Sequence, residues 1–320
     1  MRKQLPSSGV DSARGVFRDL DELNHAVSGA DLELMQLHPG ELEVLAQSYD
    51  IGELSVDRGS INCGLRVKGS LDARRCAVGV FHPGARAMLN GISVDASTVL
   101  FYTPGLELDG HLQEGYGWTS LVMPSDWVES VSLAARHSSI LSTKAGCTNM
   151  RPDASKLTDL WVATDAIIAA RSQLEQSQEG VLFLCSDIRN ALGALLSEFD
   201  IPSGKAVTRS LSHYRTARRA ESYMRDRVSE DLCIDDICTA LRVSRRYLEY
   251  AFVDAFGTSP SRYLRVLRLH QVRRRLRNRN TTTTVTREAL NHGFTHLSLF
   301  STQYRALFGE SPSSTLTDQS

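Results

Sequence analysis

The side chains that carry chemistry in this chain gather near its C-terminal end, where arginine, tyrosine and hydroxyl groups follow one another at helical spacing. Arg245, Arg246, Glu249 and Tyr250 come directly after Ser244, and they alternate with the apolar pair Leu248 and Phe252. That pair, four residues apart, faces a core and turns the other four side chains elsewhere, while Ser244 caps the helix they stand on. Arg246, Glu249 and Tyr250 are thereby left on outer faces, the arrangement a recognition helix needs. About fifty residues later Phe300, Tyr304 and Phe308 recur every four residues, with Leu297, Ser298, Ser301 and Thr302 on adjacent faces.

Enzymatic chemistry finds no comparable footing. The sequence has no GxSxG elbow, P-loop or GxGxxG stretch. His38, His82 and His111 would have to cluster to hold a metal, but there is no HxH pair and no close His/Glu group, and hydrogen-bonded or surface histidines are the simpler reading. Cys63, Cys76, Cys147, Cys185, Cys233 and Cys238 form no CxxC pair and read as free, mostly buried thiols. No catalytic residue, metal or cofactor is expected. An enzyme built on the N-terminal half and targeted to DNA stays open as an alternative, as does an architectural DNA binder without an effector.

The elements that must position the arginines follow from hydrophobic spacing. Ile234, Ile237, Cys238 and Leu241 make a short apolar face before Val243 and Ser244, which reads as helix, turn, helix. Thr284 caps a second such unit whose apolar side is Val285, Ala289 and Leu290; Gly293-Phe294 make its turn, and Gly309 ends its second helix ahead of Pro312. Between the units, Pro260 to Asn278 carries Tyr263, Leu264, Leu267 and Leu276 along with seven arginines. A helix of about 17 residues is about 25 Å long, enough to set two recognition helices about one DNA turn apart.

Charge divides the chain. From Lys205 to Glu310 there are 20 Lys and Arg against 10 Asp and Glu, and the remainder has 16 against 27, which together give the net charge of -1. A basic half fits duplex DNA, though a solvated or membrane-facing surface would also be basic. No run approaches the roughly 20 apolar residues of a membrane helix, and a cytoplasmic protein is expected. Leu32 to Val128 shows turn signals every 8 to 12 residues, the mark of a small antiparallel barrel or sandwich. Two amphipathic helices are predicted over residues 155–199: Leu157, Leu160, Trp161, Ile167 and Ile168 line the first, with Thr164 as a polar interruption. Leu182, Leu184, Ile188, Leu192, Leu195 and Leu196 line the second, beyond a polar 172–180 stretch. Pro202-Ser203-Gly204 marks a linker. The predicted architecture is α+β: a sensor and dimerisation domain over 1–204, with a cupin-like β-barrel to about 150 and a helical hairpin, then an all-α domain of two helix-turn-helix units over 205–320.

Val-Ser-Arg-Arg-Tyr-Leu-Glu-Tyr-Ala-Phe at 243–252, Gly-Thr-Ser-Pro at 257–260, Gly-Phe at 293–294 and Phe-Gly-Glu-Ser-Pro at 308–312 resemble the AraC/XylS family of bacterial regulators. The resemblance covers about a third of the chain. It implies a two-unit DNA-binding domain behind a variable sensor and dimerisation domain, promoter DNA and RNA polymerase as partners, a likeness to activators, and a homodimer. It carries Arg246, Glu249, Tyr250, Leu297, Ser298, Ser301 and Thr302 over as base-edge or groove-facing positions, with Arg246 placed to meet a guanine edge through two hydrogen bonds and Arg245 to meet a phosphate or water. Arg242 departs from it where the family often has Gly, and Cys233 where a Ser or Thr cap is usual. Leu37-His38-Pro39-Gly40, Val272-Arg273-Arg274 and Pro312-Ser313 are similar to the ethanolamine-operon regulators within the family, which suggests an ethanolamine-type amine as effector. Arg14 and Arg18 form an RxxxR element that looks like the arginine pair with which some PilZ-type and AraC-like proteins hold cyclic di-GMP, a second candidate effector.

Overall fold

The computed structural model describes residues 11–20, 23, 30–51, 53–128, 146–174, 178–197, 208–278 and 283–317. Twelve strands come first: β1 (Asp11–Phe17), β2 (Ala30–Gln36), β3 (Val44–Ile51), β4 (Leu54–Ile61), β5 (Leu65–Leu71), β6 (Arg75–Phe81), β7 (Ala87–Leu89), β8 (Ile92–Val94), β9 (Val99–Tyr102), β10 (Glu107–Leu112), β11 (Gly117–Pro124) and β12 (Cys147–Met150). They make two open sheets rather than a closed barrel. One has seven strands in the order β1-β3-β4-β11-β6-β9-β12, the other five in the order β2-β5-β10-β7-β8. The turn signals alone could not decide between barrel and sandwich, because closure depends on whether the edge strands pair. Here β1 and β12 end one sheet and β2 and β8 the other.

The seven-stranded sheet is covered on both faces. The hairpin of α1 (Ala154–Leu174) and α2 (Gln178–Leu196) places Leu160, Ile167, Ile188, Leu192 and Leu195 against Val56, Val78, Val80 and Leu121. The other face packs Val44, Ile61, Ala77 and Phe81 against Leu65, Val67, Leu89 and Leu112 of the five-stranded sheet. A central strand buried on both sides loses its polar alternation, and Cys76 to Phe81 of β6 are all buried. Thr164 is fully buried within α1 and satisfies its hydroxyl on the Trp161 carbonyl at 2.9 Å. Leu182, placed by its spacing on the apolar stripe of α2, is instead exposed together with Phe183 and with Val162 of α1.

Among the described residues seven helices follow: α3 (Thr208–Asp226), α4 (Ile234–Leu241), α5 (Arg245–Phe256), α6 (Pro260–Leu276), α7 (Val285–Asn291), α8 (Leu297–Phe308) and α9 (Pro312–Thr317). Their core is centred on Leu248, Phe252, Phe256, Tyr263, Phe300 and Tyr304, all at most 1% exposed. Met35 and Leu37, from the five-stranded sheet side, belong to this same core. The helical domain is therefore packed on the outer face of that sheet. Among the described residues no helix is long and apolar enough to cross a membrane, and no group of three or more His, Cys, Asp or Glu is placed to hold a metal ion.

Candidate functional site

In the first helix-turn-helix unit, Cys233 stands at the N-terminal cap of α4, and its backbone N–H donates to the Asp236 carboxylate at 2.9 Å. The turn passes through Arg242, held in the left-handed region at φ 57° and ψ 46° where the related pattern favours glycine. Ser244 then accepts a hydrogen bond from the Tyr247 N–H and starts α5. Leu248, Ala251, Phe252, Ala255 and Phe256 face inward. Arg245 and Arg246 are exposed, Tyr250 is half exposed and Glu249 partly so. The Arg246 guanidinium donates to the Tyr250 hydroxyl at 3.3 Å and lies 5.6 Å from its ring, so tyrosine orients arginine one turn away on the same helix face. Arg245 makes only an exposed 3.5 Å pair with Asp235, a contact that water and salt weaken.

The second unit repeats the plan with different polar chemistry. Thr284 accepts from the Arg287 N–H, and Gly293 at φ 78° makes the turn. His296 starts α8 without a side-chain cap. Phe300, Tyr304 and Leu307 anchor α8, and Phe308 packs at the margin of that core. Leu290, expected on the inner side of α7, is exposed. Leu297, Ser298, Ser301 and Thr302 are all exposed. Ser301 and Thr302 spend their hydroxyl hydrogens on the Leu297 and Ser298 carbonyls at 2.9 and 3.0 Å. Toward a base edge they can only accept, which suits the amino groups of adenine and cytosine. Exposed Leu297 and Leu299 offer apolar contact of the kind a thymine methyl needs.

Between the units runs a groove of about 430 Å³ whose lining includes Arg245, Arg265, Arg268, Thr295, His296 and Gln303. The arginines of α6 divide by role. Arg262, Arg265, Arg274 and Arg275 are exposed. Arg268 donates to the Glu230 and Leu232 carbonyls and braces the entry to α4. Arg273 and Arg277 reach back to Asp19 near the N-terminus, and Arg273 also to Glu310. Those three are occupied by the fold rather than free for phosphate.

Behind the helices lies a second site. A cavity of about 210 Å³ opens between the two sheets, lined by Phe17, Leu23, Leu34, Tyr102, Tyr116 and Trp118 among others. Strand register places a polar row across its wall: Ser48 opposite Asp57, Asp57 opposite Ser120, and Ser120 opposite Gly79. Ser48 donates to Asp57 Oδ1 at 2.5 Å. Burial raises the Asp57 carboxyl to about 6, against the Ser48 hydrogen bond that lowers it. Arg75 spends its guanidinium on the Glu53 and Val122 carbonyls and on Ser55 Oγ, and Arg58 turns to Thr119, Asp165 and the Trp161 ring on the hairpin side. Gly59 leaves room for Trp118, whose ring would come within 2.5 Å of a side chain there.

The five-stranded sheet joins the two sites. Its strands alternate, so Leu32, Leu34, Leu65, Val67 and Leu108 face the cavity. Glu33, Met35, Arg66, Lys68, Asp109 and His111 face the helical domain. Arg66, fully buried, donates to the Val67 and Gly110 carbonyls at 2.9 and 2.7 Å, to Asp109 at 2.7 Å and to Glu221 of α3 at 2.6 Å, with its guanidinium over the Phe256 ring. Tyr214 donates to Asp109, and Tyr263 to Glu221. Burial alone would raise the Glu221 carboxyl, but Arg66, Arg225 and Lys68 hold it down at about 2. Arg225 pairs with Glu33 at 2.6 Å, His270 meets the Gln36 carbonyl at 3.0 Å, and His111 lies so close to Gly257 that a Cβ there would approach its ring to 2.6 Å. Burial holds His270 and His111 neutral, lowered to about 4 and about 3.

Several sequence expectations take a different place. Arg14 lies on β1, with its side chain outside the described residues. Arg18 is 76% exposed, pairs with Glu43 at 3.5 Å and does not line the cavity. The three histidines do not converge: His82 packs edge-on against Trp161 of the hairpin, while His111 meets the helical domain. Of the cysteines, Cys63 and Cys76 are buried and Cys233 is exposed. Missed by sequence were Asp57 and its serine row, and Arg66 with its two carboxylates.

Residues 237–318 match the model of a helix-turn-helix domain. The chain is 34% identical over 100 residues to XylDLEGF operon transcriptional activator 2 of Pseudomonas putida, covering 31% of this chain and 64% of that protein. It is 33% identical over 99 residues to XylDLEGF operon transcriptional activator 3 of the same organism, covering 31% of this chain and 30% of that protein. This chain thus spans less than two thirds of these relatives. A solved structure from Chromobacterium violaceum, a transcriptional regulator described as an AraC-type DNA-binding domain-containing protein, is 32% identical over 34% of this chain and 96% of its own, with a TM-score of 0.32. Residues 237–318 of this chain form a helix-turn-helix domain.

Proposed function

We propose that this chain is a sequence-specific, ligand-responsive transcription regulator of the activator kind, which binds promoter DNA through both helix-turn-helix units. The observation that carries the reading is the pair of capped units joined by α6, each with a second helix whose inner face is locked and whose outer face is polar and exposed. Arg246, oriented by Tyr250, reads a guanine edge; Ser298, Ser301, Thr302 and Leu297 read the second block; Glu249 adjusts the groove-facing edge of the first. Arg245, Arg265 and Arg275 meet phosphates. The 1–204 region senses a small molecule in the cavity between the sheets. Differential affinity for the docked and undocked arrangements of the helical domain then shifts DNA binding, because one sheet has a face in each site. Exposed Val162, Leu182 and Phe183 on the hairpin support self-association there. Contact with RNA polymerase follows from the activator reading. Arg18 stands outside the cavity, so a cyclic dinucleotide would bind elsewhere, on the β1 surface.

Fluorescence anisotropy of the full chain on DNA fragments from upstream of its own gene and its neighbours, against random duplex, tests the reading. A fragment bound at least 1,000-fold more tightly than random duplex at physiological salt is expected, the low end of the range for specific binders. Equal affinity for all duplexes, falling steeply with salt, would contradict it.

A further inference from the structure

The largely apolar cavity between the sheets has a carboxylate on its wall. Asp57 stands on the cavity wall in the middle of a row whose other members are Ser48, Ser120 and Gly79, facing Phe17, Leu34, Tyr116 and Trp118. Ser48 occupies one carboxylate oxygen. The arginines nearest the wall are committed elsewhere: Arg75 to two carbonyls and Ser55, Arg58 to groups on the far face of the sheet. A largely buried carboxylate whose cationic neighbour, Arg75, spends its hydrogen bonds on other groups costs stability, and a fold that needed only a core would place an apolar residue there.

Resting on the reading of this cavity as a sensor site, we propose that its ligand is a small primary or secondary amine with an alkyl or aryl body, the protonated nitrogen donating to Asp57 with Ser48 and Ser120 alongside, and the body lying against Trp118, Tyr116 and the leucines. The polar row sets the head and the aromatic and leucine walls set the body, so ethanolamine itself, which lacks an apolar body, binds more weakly than its alkyl and aryl homologues. The alternating residues of β2, β5 and β10 carry the filled state to Glu33, Arg66 and Asp109 on the helical domain side. Anionic ligands are disfavoured because Asp57 repels them, while Arg58 pairs with Asp165 and Arg75 binds Glu53, Val122 and Ser55.

The test titrates the full chain with hexylamine and 2-phenylethylamine, with the matched carboxylates hexanoate and phenylacetate, and with the alcohols hexanol and 2-phenylethanol. Thermal stability and tryptophan emission are read for the wild type, Asp57→Asn and Ser120→Leu. The amines are expected to bind best, Asp57→Asn to weaken them about 10- to 100-fold while leaving the alcohols unchanged, and Ser120→Leu to exclude all probes by filling the cavity. Carboxylates binding better than amines, or amine affinity unchanged in Asp57→Asn, would overturn the ligand class. Binding by the alcohols alone would also overturn it while leaving the sensor site standing. Binding by none of the probes would remove both.

Discussion

Replacing Arg66 by Met removes the centre of the network that docks the helical domain onto the sheet. The methionine fills similar space, so the loss is electrostatic: four internal hydrogen bonds go, and two carboxylates, Asp109 and Glu221, stay buried at 1% and 0% side-chain exposure. Breaking a buried pair from one side costs about 3 to 5 kcal/mol. Here Arg225 and Lys68 remain 3.2 and 3.7 Å from Glu221, and Arg218 3.1 Å from Asp109. That residual compensation places the expected loss near the low end, about 3 kcal/mol, or a Tm roughly 6 to 12 °C lower. Urea unfolding followed with hydrogen exchange reads both size and place. Protection is expected to fall in β5, β10 and α3 and to hold in β4, β6 and β11. Adding Glu221→Gln to Arg66→Met is expected to return more than about 1 kcal/mol, since the two share one interaction. A neutral single variant, or a loss spread evenly over both sheets, would refute the assignment of Arg66 to docking.

Three further outcomes follow from the same geometry. Arg242→Gly relieves a left-handed conformation at an exposed turn and is expected to stabilise the chain by about 1 kcal/mol, measured by urea unfolding. His111 and His270 have native values depressed below 6.5, so the unfolded chain takes up protons first and stability falls as pH drops from 6.5 toward 4, by about 2 kcal/mol each at pH 5. His111 faces Arg66 and His38, and His270 faces Gln36, Glu33, Arg225 and Arg273; a His111→Gln/His270→Gln chain should show a flatter Tm profile over that window. Asp57 has the opposite sign, its native value being raised: ionisation above about 6 costs the empty fold on the order of 1 to 3 kcal/mol, so Asp57→Asn should raise the Tm at pH 7.5 and leave it little changed at pH 4.

The helix-turn-helix units were legible because their determinants are local. Caps at Ser244 and Thr284, the Leu248/Phe252 and Phe300/Tyr304 spacings, and the turn at Gly293 each act within a few residues. The sheet order and the docking were not, because they depend on pairings far apart in the chain, such as Arg66 with Asp109 and Glu221, 43 and 155 residues away. Arg66 and Lys68 alternate with Leu65 and Val67 as a solvent-facing pattern would, and only the helical domain covers that face. Asp57 hid for the same reason: Ser55, Asp57 and Gly59 read as the wet side of β4, yet Asp57 lines the cavity between the sheets. Arg273 and Arg277 share the composition of the phosphate-facing arginines but meet Asp19, a partner that helix periodicity cannot reveal.

Selection of duplexes from a random pool by the full chain, run in parallel with Arg246→Ala and with Ser298→Ala/Ser301→Ala, tests the reading of the two units most directly. The wild type is expected to enrich two short blocks about one helical turn apart, with Arg246→Ala relaxing one guanine in the first block and the serine variant relaxing the second alone. Enrichment of a single block, or both variants losing affinity equally on every duplex, would contradict base readout by α5 and α8.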